Sequence, residues 1–140
     1  MPRHKQFRTI VSPPLMQGFK PFGIPRSELQ QVILQFDEYE AMRLLDHEGL
    51  TQEQAAERMN VSRPTLTRIY ESARKTIAKA FVEAKMIVIE GGNVDFGREW
   101  FRCRKCHKLV DGEENHVPCK NCVSFGKEEL KPINNNTPKS

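Results

Sequence analysis

The chain has 140 residues, of which 38% are hydrophobic and 29% charged, and its net charge is +4. That is apolar material for one modest core, too little for a large enzyme barrel or a doubly wound sheet. The longest unbroken apolar run, Met86–Ile89, is four residues long, against roughly twenty for a membrane-spanning helix. The basic opening stretch leads into no apolar segment of the kind a secretory signal needs, so a cytoplasmic location is expected.

Charge is unevenly spread. Residues 1–26 hold Arg3, Lys5, Arg8, Lys20 and Arg26 and no acid, whereas residues 27–50 hold six acids against Arg43 alone. Residues 62–79 carry Arg63, Arg68, Arg74, Lys75 and Lys79 against Glu71. A basic arm and a basic helix flank an acidic helix. Basic clusters favour polyanions such as nucleic acid, and the acidic helix should face away from such a partner.

In chain order, the arm has turns at Ser12-Pro-Pro14 and Pro21-Phe-Gly-Ile-Pro25. Arg8-Thr-Ile-Val11 and Met86-Ile-Val-Ile-Glu90 are β-prone and are expected to pair as a small ribbon. Val32-Ile-Leu-Gln-Phe36 fits either a short strand or a helix end. Residues 27–84 are helical in pattern. Asp37 stands three residues before Glu40, a capping-box spacing, and Ala41, Leu44 and Leu45 share one face of a helix of about ten residues. Gly49 ends that helix. Thr51 opens a second, with Gln54 at the capping-box position, and Asn60 interrupts it. Ser62 caps a third helix reaching about Phe81, with Pro64 in its first turn, where a missing N–H costs little.

Residues 51–69 carry the most specific pattern. Two helices crossing steeply over a tight turn need a small residue at the crossing, and Ala56 supplies it. Four positions later the turn needs a left-handed backbone, which Asn60 accepts. Val61 plugs the turn, and apolar residues at 55, 59, 61, 66 and 69 close a miniature core. Once Leu66, Ile69, Ala73 and Ile77 turn inward, Arg63, Thr65, Thr67, Arg68, Ser72, Arg74 and Lys75 are left outside. Arg63, Thr65, Thr67 and Arg68 are expected in a DNA groove, where arginine is the commonest base reader. Arg74 and Lys75 suit phosphates. Tyr70 is open between core, partner surface and phosphate donor.

Residues from about 19 to 93 resemble a family of small bacterial and archaeal proteins described as predicted DNA-binding proteins. Their helix-turn-helix is similar to region four of the housekeeping sigma factors. The resemblance rests on Phe19-Lys-Pro-Phe-Gly-Ile-Pro25, Asp37-Glu-Tyr-Glu-Ala41, Glu48-Gly-Leu50, Ala55-Ala56, Val61-Ser-Arg63, Ala73-Arg74 and Ile89-Glu-Gly-Gly92. It implies sequence-specific DNA binding in transcription. One departure is Val82-Glu-Ala-Lys85, where a glycine is expected in place of Ala84.

All four cysteines lie in Cys103-Arg-Lys-Cys106 and Cys119-Lys-Asn-Cys122, with twelve residues between the pairs. In a reducing compartment such pairs bind metal more often than they form disulfides. Each pair can chelate one ion from a tight turn, and four thiolates complete the tetrahedral set that zinc accepts. The knuckle glycines are replaced by His107 and Val123, and Asp111-Gly112 fits a hairpin turn between the two halves. Four protein ligands leave no open position, so a structural zinc is expected, supplying folding free energy to a segment too short for its own core. Iron at the same thiolates is the alternative metal, and His107 and His116 are alternative ligands.

The expected fold is mainly α: a sigma region four-like helix-turn-helix domain over residues 1–97 with a small β ribbon, and a zinc-ribbon-like module over 98–125. A flexible tail over 126–140 completes it. No phosphate loop or nucleophile elbow occurs, so no enzyme is expected. The first functional reading is a transcription regulator binding double-stranded DNA, as a homodimer on a palindromic site. The second is an RNA polymerase accessory factor, and the third an iron-binding electron-transfer protein.

Overall fold

A computed structural model describes residues 7–104, 106–112 and 130–133. Among them 40% are helical and 22% lie in strands of three small sheets, which corrects the expectation of a mainly α fold to a mixed one. Among the described residues α-helix is confined to residues 36–83. The flanks hold short β-branched runs broken by Pro and Gly, and these pair with one another.

The elements, in order, are β1 (Arg8–Thr9), β2 (Gly18–Phe19), β3 (Gln31–Leu34), α1 (Phe36–Met42), α2 (Gln52–Met59), α3 (Arg63–Glu83), β4 (Met86–Ile89), β5 (Val94–Asp95), β6 (Trp100–Cys103), β7 (Leu109–Asp111) and β8 (Leu130–Pro132). No helix among the described residues is long and apolar enough to cross a membrane.

The expected ribbon does not form. β1 pairs in parallel with β5, Arg8 opposite Val94, and β4 lies between β2 and β3. β3 runs parallel to β4 with Leu34 opposite Ile89, and β2 is antiparallel with Phe19 opposite Ile87. The ambiguous run from Val32 is therefore strand, its direction set by the helical crossover to β4. Gly18 is required where it stands, because a Cβ there would lie 1.9 Å from the Ile87 carbonyl oxygen.

The main core joins Ala41, Leu44, Ala55, Ala56, Met59, Leu66 and Ile69. Phe36 bridges two further clusters, one around Leu34, Ala73 and Ile89 and one around Ile10, Val94 and Phe96. It meets Phe96 edge to face, with centroids 5.3 Å apart, a favoured aromatic geometry.

α1 begins earlier than its sequence suggests. Gln35 is the cap, and its N–H donates to Glu38 Oε1 at 2.9 Å. That frees Asp37 to pair with Arg8 at 3.0 Å. Glu38 also accepts from the Ser72 hydroxyl of α3 at 2.6 Å. Glu40 accepts from Arg43 Nε at 2.5 Å and from the Val11 N–H at 3.1 Å. Asp37, Glu38 and Glu40 are all buried, so α1 turns these three charges inward, whereas Asp46 and Glu48 after it are exposed. Each carboxylate is bonded, as burial of charge demands. A π turn, Arg43–His47, follows α1, and Gly49 takes a left-handed φ of 74° after it.

β6 is the centre of the third sheet, between β7 and β8. Leu130–Pro132 falls in the segment expected to fray and instead forms a strand, Leu130 pairing with Cys103. Trp100 and Ile133 pack on Ile10, Val94 and Phe96, so one apolar cluster crosses the expected boundary at residue 97. β6 and β7 form a hairpin across the first cysteine pair, and Asp111 ends β7; the turn expected at Asp111 and Gly112 leads to a second half that lies outside the described residues.

Ala84 caps α3 in the left-handed region at φ 56°, a conformation that costs an L-residue. Ala84→Gly should therefore stabilise the protein by about 1 kcal/mol, seen as a higher urea midpoint at unchanged slope. Burial raises the Asp37 pKa above 3.8, and Arg8 opposes the rise. A raised carboxyl contributes stability that is present below its unfolded value and lost as pH rises through its folded value. Arg8→Met should lift Asp37 further, enlarge that loss, and cost about 2 kcal/mol at neutral pH. Side-chain NMR titration together with denaturation at two pH values checks both signs.

Candidate nucleic-acid interface

Local signals place α2 and α3. The Gln54 N–H donates to Thr51 Oγ1 at 3.2 Å while Gln54 Oε1 accepts from the Thr51 N–H at 3.0 Å, a closed capping box. α2 stops at Asn60, whose backbone is left-handed at φ 56° and ψ 46°. The Val61 N–H then donates to the Ala56 carbonyl at 3.0 Å, which folds the chain back on the helix it has just left. Ser62 caps α3 by accepting from the Thr65 N–H at 3.3 Å. Ala55, Ala56 and Met59 of α2 pack on Leu66 and Ile69 of α3. The result is two helices joined through residues 60–62, crossing over an alanine.

At helical spacing Arg63, Thr67 and Arg74 stand along one line of α3, and Arg68 and Lys75 along another about a third of a turn round. From Arg63 to Lys75 the helix rises about 18 Å. Arg63, Arg68, Arg74 and Lys75 are exposed and Thr65 and Thr67 half-buried. Arg68 and Lys75 form no ion pair among the described residues. Arg63 stands 3.5 Å from Glu53 of α2. The two threonines are less free than their sequence positions suggest. Thr65 Oγ1 accepts from the Ser62 hydroxyl at 2.8 Å, and Thr67 Oγ1 lies 2.9 Å from Gln52 Oε1. Ser72 belongs with α1 through Glu38, not with the outward set.

Tyr70 links α3 to the π turn. Its hydroxyl donates to Asp46 at 2.7 Å, and the Arg74 guanidinium lies 5.5 Å from its ring centroid, a cation–π distance. Arg58 of α2 reaches Glu48 at 3.4 Å, and Glu48 in turn pairs with Arg43 at 3.3 Å. These contacts fix the orientation of the two helices on the rest of the fold.

Of the four cysteines, Cys119 and Cys122 lie outside the described residues. Cys103 is buried at the end of β6, and Cys106 packs against the same cluster of Phe101, Val110 and Leu130. Between them the chain reverses: the His107 N–H donates to the Cys103 carbonyl at 2.9 Å, and His107 is left-handed at φ 62°. That is a backbone position which a glycine would favour. No group of three or more His, Cys, Asp or Glu that could hold a metal occurs among the described residues.

Sequence reasoning missed Arg102, which it treated only as one more charge. The side chain is buried. Its guanidinium donates to the Pro14 carbonyl at 2.9 Å, the Leu15 carbonyl at 3.1 Å and the His107 carbonyl at 3.0 Å. Burial lowers its pKa, but a guanidinium keeps its proton in proteins. Arg102 thereby clamps the N-terminal arm to the cysteine turn. An arginine just before a cysteine pair carries no pattern that would reveal the distant carbonyls of Pro14 and Leu15 as its partners.

No solved structure matches this chain. A UPF0251 protein of Chloroherpeton thalassium is 44% identical over 133 residues, 94% of this chain and 88% of its own length. One from Moorella thermoacetica is 43% identical over 131 residues, 93% of this chain and 86% of its own. A UPF0251 protein of Caldanaerobacter subterraneus is 54% identical over 93 residues, 66% of this chain and 79% of its own. The profile of the family described as "Protein of unknown function DUF134" matches residues 1–96, and with these relatives it shows that the chain belongs to that family.

Proposed function

We propose that α2 and α3 act as a helix-turn-helix that binds duplex DNA in transcription regulation, a non-enzymatic role. The observation that carries this reading is the exposed basic side of α3, with Arg68 and Lys75 in no ion pair among the described residues, beyond a turn built on left-handed Asn60. Arg63 and Arg68, near the helix N-terminus, enter the major groove and contact base edges. Thr65 and Thr67 contribute there less as readers than as stiffeners of the first turns, since their hydroxyls already have partners. Arg74 and Lys75 meet phosphates, Arg74 braced by the Tyr70 ring. The inward-turned acids of α1 remove a source of repulsion from that face.

Cys103, Cys106, Cys119 and Cys122 would hold one structural zinc. The turn at His107 and the shared packing of Cys103 and Cys106 fit the first half of such a site. A single helix-turn-helix covers few base pairs, so the protein acts as a homodimer on a palindrome, its recognition helices about 34 Å apart.

If about five basic side chains meet phosphates, log affinity should fall against log salt with a slope of about −4 to −5. Arg68→Ala should relax base preference and cost about 1–3 kcal/mol, whereas Lys75→Ala should weaken all sequences alike. Selection from random DNA followed by titration on matched and scrambled sites measures both. Identical behaviour of the two variants would place Arg68 outside the groove, and salt-insensitive affinity would remove the DNA reading. Elemental analysis should find one zinc per chain, and Cys103→Ser should release it. Footprints of one half-site by a 16.2 kDa monomer would replace the dimer by recruitment through RNA polymerase.

A further inference from the structure

A cavity of about 800 Å3 lies between the β2–β4–β3 sheet, α1 and α3, within the size range of small-molecule sites. Leu34 and Ile89 beneath it are buried, but Met16, Met42, Ile77 and Ile87 are packed against them only in part. The apolar cluster is left incompletely covered on this side. Five polar side chains line the cavity: Tyr39, Asp46, His47 and the paired Arg43 and Glu48. Asp46 accepts from the Tyr70 hydroxyl and meets no cation among the described residues. Arg43 and Arg58 between them balance Glu40 and Glu48, which leaves the exposed Asp46 as the carboxylate of the lining with no ion pair among the described residues. The Tyr39 hydroxyl and His47 imidazole also line the cavity and make no hydrogen bond among the described residues.

We propose that this cavity binds a small apolar primary amine, its body completing the cluster of Leu34 and Ile89 and its ammonium pairing with Asp46. A primary ammonium has three donors and no acceptor. Acceptors for it in the lining are the Asp46 carboxylate and the Tyr39 oxygen. A carboxylate on the same body would bring like charge to Asp46 and is rejected.

The probe pair is 4-phenylbutylamine and 4-phenylbutyrate, which share one apolar body, titrated into the full chain by calorimetry. The amine should bind with a Kd below about 1 mM and at least about tenfold more tightly than the acid. Asp46→Asn should abolish that preference. Ile87→Trp, which fills the cavity, should abolish amine binding while the helical circular dichroism persists; if this variant does not fold, the Asp46→Asn comparison decides. Equal affinity for amine and acid, a preference that survives Asp46→Asn, or no amine binding at several times that concentration each overturns the proposal. Sedimentation revealing a dimer that Ile87→Trp dissolves would also overturn it, by making a second copy of the chain the occupant.

Discussion

Three carboxylates buried on one short helix dictate much of this structure. Asp37, Glu38 and Glu40 cannot leave water without partners, and the partners come from all over the chain. Arg8 and the Val11 N–H reach in from the arm, Arg43 from the π turn and Ser72 from α3. Satisfying α1 therefore docks the arm on one side and α3 on the other. The position of α3, on which any DNA contact depends, is set by polar bonds as much as by the apolar core.

What was legible in the sequence was local. Thr51, Asn60 and Ser62 act on their own neighbours through side-chain caps and one left-handed residue, so their spacing was enough to place α2 and α3. What was not legible was distant. β1 chooses β5, and β4 takes β3 and β2, because of how the helical crossover brings them together, and β-prone composition says nothing about partners. The capping-box spacing fits Gln35 and Glu38 as well as Asp37 and Glu40, and packing of Phe36 decides between them. The acids of α1 looked like surface because charge usually is surface. Among candidate site residues, the exposure of Arg63, Arg68, Arg74 and Lys75 followed from periodicity, whereas the engaged hydroxyls of Thr65 and Thr67 depended on Ser62 and Gln52.

The same logic separates the rigid parts of the proposed interface from its adaptable ones. The first turn of α3 is held by a cap and by side-chain bonds to α2, so base-reading groups there start from a fixed backbone. Arg68 and Lys75 are long, solvated and without an ion pair among the described residues, and can adjust to a phosphate or a base edge at small cost. Arg102 applies a comparable constraint elsewhere: by holding three carbonyls it makes the cysteine turn and the arm one mechanical unit.

Ile10 and Ile133 share one apolar cluster although they stand near opposite ends of the described chain. During synthesis, residues 36–83 can fold from mostly local contacts as soon as they emerge. β1 must wait for β5, and β6 must wait longer for β8. Long-range pairings of this kind form late because loop closure precedes their reward. The nascent protein should thus carry a paired α2 and α3 while both flanks are still open strands. An unpaired β6 edge at that stage is the place where two growing chains could join wrongly.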